Sequence, residues 1–215
     1  MKPHHQAIDW AGTGAMLQGE GTLLGAAAVI FAAVIGGTSF KAWRRQQVAG
    51  RKLAQAERIL EATYTERRSL RYVRMPMILG HELTAAEKAL KGNEDWHAQA
   101  EPKQRRIITA QAYFNRLNAT ADDRNALSEC LPMARALFGE ELESAIETLL
   151  HQFLIVQVDV ESYVDDDGTD REFTRKIRRG MYDVAPADGE VNEVTARIDD
   201  SVATIEHHCL PVLRT

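Results

Sequence analysis

Two short clusters bring together side chains able to do chemistry. "EHHC", Glu206 to Cys209, collects four groups that bind transition metals. Consecutive residues of a helix point about 100° apart, so the four cannot converge on one tetrahedral ion, though two of them with a remote partner could, a metal site near His207 and Cys209. "DDDGT", Asp165 to Thr169, places two carboxylates two residues apart ahead of a glycine. "HELTAAE", starting at His81, has the first histidine of a zinc-protease helix but lacks the second. A calcium loop with Gly168 at its sixth place would need Tyr163 first and Thr174 twelfth, neither a suitable ligand. There is no glycine-rich phosphate loop, nucleophile elbow or dinucleotide fingerprint. The expectation is a chain without a catalytic constellation, cofactor or metal.

The Asp165–Thr169 stretch resembles the short Asp-x-Asp-Gly-Thr phosphotransfer signature of the haloacid-dehalogenase superfamily. That resemblance implies Asp165 attacking phosphorus and Asp167 working as acid/base, both at the end of a buried parallel strand. Only 46 residues follow Thr169, too few for the remaining strands, lysine and metal-binding acids of such a fold. A turn between helices explains the stretch without chemistry, because Asp and Gly are the residues turns select. A small membrane-tethered enzyme using Asp165 and Asp167 is therefore the alternative to a non-enzymatic protein.

The elements that would position these residues begin with an anchor. From Gly21 to Phe40 the sequence has no charged residue. As a helix rising about 1.5 Å per residue, that segment is about 30 Å long, the thickness of the hydrocarbon core. Its large apolar residues each favour insertion by ~0.3–0.6 kcal/mol, roughly 2.5–5 kcal/mol together. A soluble core helix would carry a polar face, and residues 23–35 have none. A cleaved signal peptide would have a basic region directly before the apolar run, where "MLQGEG" stands instead. Cations crowd the far side: Lys41, Arg44, Arg45, Arg51 and Lys52, with Trp43 among them, against Lys2 upstream. The positive-inside rule then predicts a single pass, a tail of residues 1–20 outside, and the C-terminal body in the cytoplasm. Lys41, Trp43, Arg44, Arg45, Arg51 and Lys52 are the expected membrane-interface residues, attracted to anionic inner-leaflet lipids. Trp10 and Phe40 are further interface candidates. Gly21 and Gly25, with Ala28, Ala32 and Gly36, set small residues four apart, a pattern that lets two membrane helices approach closely. Self-assembly through that stripe would suit a membrane-damaging effector. The layout resembles that of bacterial single-pass membrane proteins.

Charge divides the rest. Residues 41–79 hold ten Lys/Arg against three Asp/Glu, whereas residues 80–215 hold 15 against 26. A basic juxtamembrane helix, 41–79, thus precedes an acidic domain, 80–215. The acidic balance opposes nucleic acid as the main ligand, and "RKIRR", Arg175 to Arg179, is too short to reverse it. Membrane lipids and either a protein partner or a second copy are the expected partners. Two cysteines, Cys130 and Cys209, have no paired-ligand spacing and read as buried hydrophobes in a reducing compartment.

Low aromatic content, frequent alanine and scarce turn residues favour an all-α fold of five or six helices. The juxtamembrane helix shows Leu53, Ala56, Leu60, Tyr64 and Arg67 at helical spacing and ends near Met75-Pro76. Arg67, Arg68, Arg71 and Arg74 read as a solvated face or a contact for an acidic protein. Pro102 suits the first turn of a helix containing Ile107, Ile108, Ala112, Phe114 and Leu117. "TADDRNALSECLPMARALFG" reads as one helix, capped by Thr120 or Asp122, disturbed by Pro132 and ended by Gly139. Leu142, Ile146, Leu149, Phe153, Val156, Val160 and Tyr163 follow gaps of 4, 3, 4, 3, 4 and 3, predicting a long core helix. Val156, Val158 and Val160 also alternate with polar residues, so a strand competes over 154–160. A basic helix at "REFTRKIRRGMYD" and a last helix bearing Val191, Val194, Ile198, Val202 and Ile205 complete the body.

Overall fold

The computed structural model describes residues 10–185, 189 and 191–214; the side chains of residues 10–28, 30, 32–39 and 42 lie outside that description. Every regular element among the described residues is a helix: α1 (Trp10–Val73), α2 (Gly80–Leu90), α3 (Glu94–His97), α4 (Glu101–Ala119), α5 (Ala121–Ser128), α6 (Leu131–Phe138), α7 (Glu140–Asp165), α8 (Arg171–Met181) and α9 (Glu193–Leu213). The chain divides into two units, Met1–Arg51 and Lys52–Thr215. Among the described residues no helix is long and apolar enough to cross a membrane. Along the expected span at 21–40, which lies within α1, side chains are described only at Val29, Phe31 and Phe40, all exposed.

The second unit is a helical bundle organised by α7, which packs on α4, α5, α6, α8 and α9. Leu142, Ile146, Leu149, Phe153, Val156 and Val160 are all buried, and each such side chain contributes roughly 1.5–3 kcal/mol of hydrophobic stabilisation. The strand alternative over 154–160 is excluded by phase. A strand would put Val156, Val158 and Val160 on one face, but Val158 is 49% exposed while its two neighbours are buried. Gly139 sits at φ +103°, a conformation other residues rarely adopt, and lets α6 stop one residue before α7 starts.

The bundle also takes in residues before Gly80. Ala56, Ile59, Leu60, Leu70 and Val73 of α1 belong to its core, with Thr63 and Glu66 buried on the same helix. The buried face is therefore rotated from the one the sequence suggested, leaving Leu53 and Tyr64 exposed. Tyr64 pairs with Glu206 and Arg67 with Asp199, so α1 and α9 run antiparallel.

Three further expectations need correction. The segment from Thr120 to Gly139 is two helices, because Pro132 lacks the N–H that would continue the first one and sits instead in the opening turn of α6. Thr120 does not cap α5 with its side chain; its hydroxyl bonds back to the Arg116 and Leu117 carbonyls. The last helix begins at Glu193, where the Asn192 side chain accepts the Thr195 N–H at 3.2 Å, which leaves Val191 outside and 69% exposed. These breaks raise the helix count above the five or six expected.

Candidate functional site

Two buried arginines organise one end of the bundle: Arg116, which nothing in the sequence singles out, and Arg74, expected on a solvated face. Arg116 on α4 is buried and forks onto Glu82 of α2, with Nε–Oε1 at 2.7 Å and Nη2–Oε2 at 2.8 Å. Its remaining donors reach the Met75 and Met77 carbonyls, each at 2.7 Å. Bidentate geometry of this kind is the strong form of a charge-assisted bond. The Arg116 bond holds the Glu82 carboxyl down at about 2 and raises the guanidinium in return. Glu82 also accepts the Leu79 N–H at 2.8 Å, which starts α2, and the Tyr113 hydroxyl donates to the Met75 carbonyl at 3.0 Å. The turn from Arg74 to Leu79 is thus pinned on its polar side.

Arg74, the last cation of the supposed solvated face, is 1% exposed. Its guanidinium donates to the carbonyls of Arg179, Gly180 and Tyr182 and to the side chains of Asn192 and Thr195 at 2.8–3.1 Å. Asp183 stands 3.6 Å away, and its N–H bonds the Arg74 carbonyl at 2.9 Å. Burial lowers the Arg74 pKa and nearby Asp183 and Asp159 oppose that shift. Arg74 therefore ties the end of α1 to the end of α8 and the start of α9.

The motif residues that opened the sequence reading go elsewhere. Asp165 ends α7 and meets Lys103 at 2.9 Å; Asp166 accepts the Gly168 N–H and the Thr174 hydroxyl; Asp167 accepts the Thr169 N–H and hydroxyl. The Thr169 hydroxyl bond holds the Asp167 carboxyl below its usual range. This is a capped turn between two helices, without the buried parallel strand that the phosphotransfer resemblance implies. In "EHHC", Glu206 accepts from Tyr64, His208 lies 3.3 Å from Glu141, and Cys209 is buried. Among the described residues no three His, Cys, Asp or Glu side chains are grouped to hold a metal ion.

On the first unit Lys41, Trp43, Arg44 and Arg45 are exposed, the Trp43 ring 5.7 Å from that of Phe40. Lys41, Arg44 and Arg45 border a shallow depression floored by Val48 and Ala49. Arg51 is exposed, whereas Lys52, in the bundle, places its ammonium 4.9 Å from the Phe138 ring. The expected contact stripe of Gly21, Gly25, Ala28, Ala32 and Gly36 falls where only the backbone of α1 is described. Comparisons with protein-family models, curated proteins and solved structures find no match to this chain.

Proposed function

We propose that the chain is a single-pass membrane protein, anchored through residues 21–40, whose helical body stays beside the inner leaflet and acts by binding a protein partner or a second copy of itself. One observation carries the reading: an uncharged stretch from Gly21 to Phe40 is followed at once by Lys41, Arg44 and Arg45, exposed on the same helix beside Trp43. The apolar stretch supplies insertion energy and the cations set the orientation. Trp43 has the amphipathic ring that sits at headgroup level. Exposed arginines there add about 1 kcal/mol each of attraction to anionic lipid.

The test uses full-length protein tagged at both ends. After alkaline carbonate and high-salt washes it should pellet with membranes and leave them only with detergent. Protease should remove the C-terminal tag in inside-out vesicles and the N-terminal tag in right-side-out ones. Monodisperse full-length protein in the supernatant would overturn the reading, and digestion of the body from outside would reverse its orientation.

A further inference from the structure

The end of the bundle pinned by Arg74 and Arg116 turns an apolar surface outward. Tyr72, Met75, Met77, Leu79 and Leu83 are all exposed, Met77 by 63%. All five lie on the last turn of α1, the linking turn and the first turn of α2. Arg116 holds the carbonyls of both methionines and lies 5.4 Å from the Tyr72 ring centroid, and Leu79 and Leu83 are one turn apart at the start of α2. The backbone spends its polar groups inward on Arg116, Tyr113 and Glu82. The apolar side chains are therefore presented by a fixed turn. Contiguous exposed apolar patches mark interaction sites, and methionines adapt their shape to the apolar groups they meet.

The rim says what such a partner carries. Arg68 and Arg71 are exposed on α1, one turn before Tyr72 and Met75 respectively. Arg68 has no ion pair among the described residues, and Arg71 stands 3.8 Å from Asp183, a loose pairing. Three carboxylates of this end are engaged: Glu82 by Arg116, Asp183 by Arg74 and the Thr195 hydroxyl, and Asp123 by the Ser69 hydroxyl. The acidic Glu87 is exposed a turn beyond Leu83 on α2. Positive charge thus borders the patch on its α1 side, in a domain whose remainder is acidic.

We propose that this surface docks an acidic amphipathic segment of a partner protein. Its apolar side chains would cover Met75, Met77 and Leu79, and its carboxylates would meet Arg68 and Arg71. The proposal rests on reading the body as an interaction module and adds which face binds and with what chemistry.

Full-length protein in nanodiscs containing anionic lipid provides the test. The probe is a fluorescent synthetic helical peptide with leucines on one face and glutamates on the other; a lysine version and empty nanodiscs are controls. After subtraction of binding to empty nanodiscs of the same lipid, which attract the lysine peptide on their own, the acidic peptide should bind and the lysine peptide should not. Met77→Glu should weaken binding at least about tenfold, or ~1.4 kcal/mol, with an unchanged melting temperature as the check on folding. Arg68→Glu with Arg71→Glu should weaken it more at low salt than at high salt. Absence of binding, equal binding of both peptides, or indifference to Met77→Glu overturns the proposal. So does concentration-dependent self-association abolished by Met77→Glu, which would make a second copy the occupant. None of these outcomes touches the anchor, which pelleting and proteolysis answer separately.

Discussion

Glu66 is fully buried on α1, and neither of its carboxylate oxygens has a hydrogen-bond partner among the described residues. The Thr63 hydroxyl, one turn away on the same helix, is unpartnered as well. Burial pushes the Glu66 carboxyl up from 4.5 to about 8, with Arg124 opposing and Asp123 adding to the shift. Burial likewise pushes Asp159 up to about 6. A carboxyl raised in the folded state binds its proton there while the unfolded chain has lost it. Stability is then full below pH 4.5 and falls as pH rises toward 8, by about 1.4 kcal/mol per pH unit for a single group. Glu82 acts in the opposite sense: its contribution is present above pH 4.5 and disappears as pH falls through about 2. Melting temperatures between pH 5 and 9 should therefore decline with pH, and Glu66→Gln should flatten the decline and raise stability at pH 9. An unchanged slope in that variant would show that Glu66 reaches solvent or a counter-ion. In sequence, Arg74 reads as a solvated charge and Glu66 draws no reading, because a helix rich in arginine and glutamate gives no local sign of which face is covered. Nothing local to Arg116 announced Glu82, 34 residues away.

At the scale of elements, periodicity was legible where one face is uniformly apolar, as in α7, and misleading where polar residues share the buried face. On α1 the stripe through Ala56, Ile59, Leu60, Leu70 and Val73 is interrupted by Thr63 and Glu66, which shifted the expected face onto Leu53 and Tyr64. Helix boundaries set by proline or a capping side chain, at Pro132 and Asn192, were displaced for the same reason: one backbone group decides them, not a pattern. The pinned turn before α2 gives a prediction at this level. Arg116→Met should leave Glu82 half-buried and unpaired and free the Met75 and Met77 carbonyls, costing about 3–5 kcal/mol. Amide exchange should then accelerate first in residues 74–82. The packing of α7 on α8 gives another. A Cβ at Gly180 would run into the Asp159 carboxylate, the movable end of a side chain, so Gly180→Ala should turn that carboxylate aside at a net loss of about 1 kcal/mol or less, helix propensity offsetting part of the crowding. Adding Asp159→Ala should recover part of that loss, a coupling measurable by a double-mutant cycle.

Across the whole molecule, the sequence made visible an all-α chain, an uncharged N-terminal stretch and a change of charge sign. It did not show that the basic segment is divided, with residues up to 51 in one unit and the rest in the bundle. Charge counts average over both. If the cations after the apolar stretch orient the chain, reversing Lys41, Arg44 and Arg45 to glutamate should invert or scramble the protease pattern while leaving the bundle folded, since none of the three belongs to it. The two cysteines offer a way to follow that bundle in place. Cys130 and Cys209 are both free and fully buried, and burial pushes the Cys209 thiol up to about 11 and the Cys130 thiol in the same direction. At neutral pH neither presents a reactive thiolate to a maleimide in the closed state. Labelling can then advance only as fast as the helices part, so the unaltered chain carries its own stopwatch for breathing and rupture, readable by mass spectrometry.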